Sequence, residues 1–306
     1  MLKNARYGGV NAAVLTAMHH DLSIDLPRMV SHGRWLLANG CNGLGILGTT
    51  GEANSLGLSE RVEVMEAFVA AGIPGTKLLP GTGTTAIPDT VLLTKKADSL
   101  GCASALILPP FFYKNPSEDG LFAYFSEVIQ RVGGDIGIYL YHFPAQSAVP
   151  FTVDLIARLL RAYPGKVRGI KDSSGDFANT KAYADHFAAD GFEVYCGSDA
   201  QLHAALNANC AGCITAATNV GSALAAEVYA AAGSPAGEAP QRQLAAMRAA
   251  ISEAPLIPGL KALIARHHND ANWLNVRPPH TKITAEAEHA LFRAFDATGV
   301  ELAAVA

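Results

Sequence analysis

Three short stretches of this chain carry side chains able to do chemistry. The first is "GIKDSSG" (169–175), in which Lys171 closes an apolar run and a polar turn follows. The run "VRGIK" (167–171) reads as a strand, and strands alternate faces, so Val167, Gly169 and Lys171 share one side. A lysine on a buried strand face must be paired, neutral or chemically used. In dry surroundings desolvation disfavours an ammonium, and a neutral amine can attack a carbonyl to form an imine. The bland alternative is an amine emerging into water at a rim. The second stretch, "IGIYLY" (136–141), ends on Tyr141, which shares a face with Gly137 and Tyr139. A phenol at a strand mouth either packs or passes protons and holds a developing oxyanion. In the third, "LGTTGEANSLGLSE" (47–60), Gly48 and Gly51 flank Thr49 and Thr50. Glycines permit a tight turn whose N–H groups, with two hydroxyls, suit a carboxylate; an ordinary strand-to-helix turn is the alternative.

These side chains need elements to hold them. Eight short apolar runs alternate with amphipathic ones: 11–16, 43–48, 77–81, 104–110, 136–141, 167–171, 192–197 and 211–215. The runs between them show serine, threonine or aspartate caps and glycine stops, the marks of helices. Alternating β and α units predict a parallel sheet, and eight of them predict an α/β fold of the (β/α)₈ (TIM) barrel type over residues 1–221. No G-x-G-x-x-G follows the first run, which argues against an open dinucleotide-binding sheet. From residue 222 to 306 the pattern is helical only, predicting a C-terminal helical extension. In such barrels the active site lies at the C-terminal strand ends, where all three stretches fall.

Composition narrows the function classes. Half of the 306 residues are apolar, 16% are charged and the formal net charge is −4, so nucleic acid and anionic membranes are not expected partners. No apolar run is long enough to span a bilayer, and the N-terminal segment reads as the start of the fold rather than a signal peptide. Five scattered cysteines read as small buried hydrophobes of a cytoplasmic protein; the single C-x-x-C at Cys210 and Cys213 lacks a second pair for zinc. His19–His20 and His267–His268 are adjacent pairs without metal-ligand spacing and read as surface or loop residues. No metal and no cofactor is expected.

"GTTGE", "YHFP" and "GIKDSSG", in that order, with "GSD" (197–199) and "RPP" (277–279), resemble the dihydrodipicolinate synthase/N-acetylneuraminate lyase family of pyruvate-dependent Schiff-base enzymes. The resemblance covers nearly the whole chain. It implies a (β/α)₈ barrel with C-terminal helices and a homotetramer acting on pyruvate or another 2-keto acid. By the same resemblance, Lys171 forms the imine, Tyr141 shuttles protons, and Thr49 and Thr50 grip the pyruvate carboxylate. Gly48 belongs to that turn, Ile214 in "GCIT" is the aliphatic neighbour of pyruvate, and Gly197 lines the pocket.

Departures from the family pattern bear on the substrate. Synthases place an arginine two residues beyond Y-x-x-P to bind the carboxylate of aspartate semialdehyde; here Gln146 stands there, and an amide lacks the guanidinium's charge and fork. Phe112 falls where synthases carry a tyrosine that reaches a neighbouring subunit, with Tyr113 adjacent. Asp199 is followed by Ala200, half of the acidic pair by which some sialic acid lyases hold a polyhydroxyl tail. Lys114 is a candidate contact for a distal carboxylate. The expectation is a lyase or aldolase acting on a 2-keto-3-deoxy sugar acid or similar neutral-tailed substrate, with a dehydratase as sibling. 4-Hydroxy-tetrahydrodipicolinate synthase is the alternative enzyme, and a non-catalytic keto-acid-binding barrel is the alternative of another class.

Overall fold

The computed structural model describes residues 7–304. Among the described residues seven parallel strands form one sheet: β1 (Gly9–Ala13), β2 (Gly43–Gly45), β3 (Ser104–Ile107), β4 (Gly137–His142), β5 (Val167–Asp172), β6 (Glu193–Cys196) and β7 (Gly212–Thr215). Their order is β2-β1-β7-β6-β5-β4-β3, with helices between successive strands, so the sheet curls into a nearly closed TIM-type barrel.

The run 77–81, expected as a strand, makes no continuous ladder. Residues Gly75–Lys77 are a 3₁₀ turn, and only Leu78 and Gly81 bridge to β2 and β3. Pro80 lacks the N–H a regular ladder would need there. The segment still fills the gap between β2 and β3. Leu79 and Gly81 donate to Leu44 and Ile46 oxygens (2.9 and 2.8 Å), and the Leu106 N–H donates to the Pro80 oxygen (2.9 Å). Gly81 lies so close to β2 that a Cβ would stand 2.2 Å from the Leu47 oxygen.

Two apolar layers result. The larger packs the outer strand faces against the helices; the smaller fills the barrel interior and includes Tyr7, Leu79, Leu106, Tyr139, Tyr195 and Ile214. A buried acid, Glu193, belongs to that interior. It accepts hydrogen bonds from the Tyr195 hydroxyl (2.6 Å) and from the Tyr139 hydroxyl, and burial pushes both phenols well above their ordinary pKa. Gly169 makes room for this arrangement, since a Cβ there would stand 2.3 Å from the Tyr139 ring. In the β5–β6 register Gly169 faces Glu193 and Lys171 faces Tyr195, so the lysine stands one layer above the phenol–carboxylate group.

Past β7 the chain is helical, as expected. The helix Thr218–Ala230 spans the 221/222 boundary and leaves helical geometry at Gly221 (φ −119°, ψ 23°). Helices Glu238–Ile251, Leu256–His268 and Ala285–Asp296 follow. The expectation of a surface or loop position fails for His267 and His268. Both lie in the last turn of Leu256–His268 and pack on Trp35 (ring centroids 5.5 and 6.0 Å apart). Adjacent positions on a helix end still point to one side strongly enough to share an aromatic neighbour, which pair spacing alone does not reveal.

His32 lies beside them and is buried, its Nε2 3.0 Å from the Asn219 oxygen and its Nδ1 without a partner among the described residues. Burial lowers its pKa from 6.5 to about 4, and burial lowers that of His268 in the same direction. A histidine held neutral in the fold takes up a proton preferentially when unfolded. Its contribution is therefore complete above pH 6.5 and is lost as pH falls toward 4. The loss expected from His32 is about 3 kcal/mol. Denaturant midpoints measured across that window should fall with pH, and His32→Gln should flatten the slope.

Candidate active site

The C-terminal ends of β4 and β5 carry Tyr141 and Lys171, paired directly in the sheet register. Both are buried, and the Lys171 Nζ stands 4.3 Å from the centre of the Tyr141 ring. Among the described residues Lys171 makes no ion pair and no hydrogen bond, although its neighbour Asp172 carries a carboxylate. Strand alternation explains this. Asp172 points to the helix side, where it accepts from Thr180 Oγ1 (2.6 Å), Asn179 Nδ2 (3.0 Å) and the Ser174 N–H (2.9 Å). The amine thus keeps an apolar ring for company and no counter-ion.

The turn after β2 approaches from the other side. Thr49 Oγ1 lies 3.5 Å from the Tyr141 hydroxyl. Glu52 N–H donates to the Thr49 oxygen (3.0 Å), and Leu47 and Glu52 take left-handed φ values of 58° and 56°, so the backbone doubles back tightly. Gly51 packs so closely on β1 that a Cβ would lie 2.9 Å from the Val14 oxygen, and its own oxygen accepts from Thr16 Oγ1 (2.6 Å). Among the described residues the N–H groups of Thr49 and Thr50 have no acceptor. Two unpaired N–H groups beside an amine and a phenol can hold a carboxylate.

A cavity of about 770 Å³ opens over these groups, far larger than a three-carbon acid needs. It brings together Thr49, Thr50, Tyr141, Lys171, Gly197, Asp199 and Gln146. Gly48 flanks a smaller adjoining space with Thr49 and Tyr141. Ile214 is buried in the barrel interior below, and Ala216 reaches the cavity wall from the same strand end. Asp199 is buried, and its carboxylate accepts from the Thr215 hydroxyl; burial pushes its pKa up, against that bond and the charge of Arg248. Lys114 is not part of the cavity wall. Its amine is drawn to the Phe111 and Ser147 oxygens (2.5 and 3.4 Å). Phe112 and Tyr113 also lie outside it, 71% and 78% exposed and packed edge to face on each other.

Three groups escaped the sequence reading. Glu52, the acid closing "GTTGE", is fully buried and paired with Lys261 of the helix Leu256–His268; Lys261 also donates to the Asn275 oxygen (2.7 Å). Arg277 of "RPP" donates its N–H to Glu52 (3.1 Å) and its side chain to Glu60 and the Ser55 oxygen. The third is Arg248, which lines the cavity from the helix Glu238–Ile251. A lysine inside the apolar run "IPGLKALIA" was the one local sign of a buried charge. Nothing local marks Arg248.

A family model described as the dihydrodipicolinate synthetase family matches residues 6–298. The chain belongs to this family. Its relatives in the dihydrodipicolinate synthetase family include an uncharacterized DapA-like lyase of Chloroflexus aurantiacus, 34% identical over 260 residues, which are 84% of this chain and 85% of that one. The solved dihydrodipicolinate synthase of Agrobacterium tumefaciens is similar in structure, with a TM-score of 0.87 and 30% identity over 95% of this chain and 99% of that one. The chloride-inhibited dihydrodipicolinate synthase of Acinetobacter baumannii, solved with pyruvate, has a TM-score of 0.87 and 25% identity over 96% of this chain and 100% of that one. Membership places the chain among the aldolases, lyases and synthases of this family. Among the described residues no helix is long and apolar enough to cross a membrane.

Proposed function

We propose that the chain is a class I, pyruvate-dependent lyase or aldolase in which Lys171 forms a Schiff base with a 2-keto acid of the 2-keto-3-deoxy sugar acid type. One observation supports this above the others: a strand-end amine that reaches a cavity with a tyrosine ring at 4.3 Å and no anionic partner among the described residues. An amine without a counter-ion beside a cavity is suited to addition to a carbonyl. In the proposed reaction Nζ adds to C2 of the keto acid, and loss of water gives the imine. The C3–C4 bond of a 4-hydroxy acid then breaks as the 4-hydroxyl gives up its proton, and the electron pair moves into the imine. The resulting enamine is protonated at C3, and hydrolysis frees pyruvate and the lysine. Tyr141 is assigned the proton transfers at the substrate oxygens, and the Thr49 and Thr50 N–H groups the C1 carboxylate. Gly197 lines the pocket of the bound acid, with Ile214 beneath it and Gln146 and Asp199 beside the tail. We assign the exposed Phe112 and Tyr113 to contact with a neighbouring subunit of a cytoplasmic homotetramer.

The relatives' names favour a second reading, 4-hydroxy-tetrahydrodipicolinate synthase, exemplified by the Acidiphilium cryptum protein, 32% identical over 74% of this chain. Rapid turnover of pyruvate with aspartate semialdehyde would establish that reading instead. Borohydride reduction in the presence of pyruvate tests what both enzymes share. Mass spectrometry should find one reduced pyruvate adduct, on Lys171. A protein left unmodified under conditions that label an authentic synthase would sink the enzymatic readings and leave a keto-acid-binding barrel.

A further inference from the structure

We infer that Arg248 determines specificity by holding a carboxylate at the far end of the substrate, so that the aldehyde half is an acid. The inference rests on the Schiff-base reading only for where the other end of the substrate is anchored. Arg248 lines the same cavity as Lys171, and its Nη1 is buried without a hydrogen-bond partner among the described residues. Among the described residues the guanidinium makes no ion pair. Its one charged neighbour of note is Asp199, whose carboxylate is already engaged by Thr215. A guanidinium that lines a cavity with no anion paired to it is costly unless a ligand completes it, and the planar fork matches a carboxylate.

The size of the cavity agrees, because pyruvate alone fills a small part of about 770 Å³. Among the described lining residues Lys171 and Arg248 are the only lysine or arginine side chains, and the first is committed to the imine. One remaining cation balances a carboxylate but leaves a phosphate dianion half neutralised. A neutral tail was expected because Gln146 replaces a guanidinium on the loop after β4. Arg248 supplies that charge from a helix far along the chain, so within the proposed sugar-acid class the substrate carries a second carboxylate at its far end.

The test pairs two substrates of equal length. 4-Hydroxy-2-oxoadipate would be cleaved to pyruvate and 3-oxopropanoate, and 4-hydroxy-2-oxohexanoate to pyruvate and propanal. The wild-type protein should favour the diacid at least about tenfold in kcat/KM, mostly through KM. In Arg248→Ala that ratio should collapse to about one, and Arg248→Lys should recover part of it. Calorimetry with adipate, which cannot form an imine, gives a second readout on folded protein verified by thermal unfolding. Adipate binding should be lost in Arg248→Ala. If the substrate ratio and adipate binding are both unchanged in Arg248→Ala, the inference is overturned. If neither substrate is cleaved and pyruvate is never trapped, yet adipate binding still requires Arg248, the Schiff-base reading falls and the carboxylate site stands.

Discussion

Lys171→Ala should abolish turnover while leaving the fold intact. The amine is the group to which the proposed covalent intermediate is attached, and no other lysine lines the cavity among the described residues. Losses of about 10⁴- to 10⁶-fold in kcat follow when a covalent nucleophile is deleted, with residual rate left to binding and oriented donors. Stability should move in the opposite sense to most buried-charge deletions. Lys171 makes no ion pair or hydrogen bond among the described residues, so its removal strands no partner; it gives up a ring contact at 4.3 Å and relieves the desolvation of an amine. The measurement is a pair: pyruvate release under saturating 2-keto acid, and the denaturant midpoint of the same preparation. An unchanged or raised midpoint with turnover lost supports the assignment. Turnover surviving within tenfold of wild type would remove Lys171 from the chemistry, whatever the fold does.

Much of this site is legible in the sequence because it depends on short-range rules. Period-two alternation puts Lys171 on the barrel face and Asp172 on the helix face, and the structure keeps them there with separate partners. The same alternation and the βα repeat predict a barrel, and Gly48, Thr49, Thr50 and Gly51 read as a turn without knowledge of what lies opposite. The failures have a common physical origin in groups whose partners are distant along the chain. Glu52 looks like the polar end of a turn until Lys261, 209 residues on, is found against it. Arg248 reads as an ordinary helical arginine until the helix is docked over the strand ends. The apolar residues of 77–81 suggest a strand, while Pro80 and the close approach of Gly81 let the segment close the barrel without a regular ladder. Spacing says little about His267 and His268, whose place is set by packing against Trp35.

Lys261→Met should be the most destabilising single substitution in the C-terminal helices, because it breaks an ion pair whose two side chains are fully buried. Burial lowers the pKa of Lys261, and the charge of Glu52 works against that shift, so the lysine depends on the acid to remain ionised. Removing the lysine leaves the Glu52 carboxylate with the Arg277 N–H and takes a donor from the Asn275 oxygen. Breaking one side of a buried pair costs about 3–5 kcal/mol. The damage should also reach the site, since Glu52 follows directly on the Thr49–Thr50 turn and its left-handed backbone is held by these contacts. KM for the keto acid should therefore rise along with the loss of stability. Glu52→Gln combined with Lys261→Met removes the stranded charge, so the double variant should be more stable than Lys261→Met alone. Equilibrium unfolding of the four proteins gives the coupling energy. A coupling near zero would mean that the pair is solvated in solution and does not join the helical extension to the turn that holds the substrate.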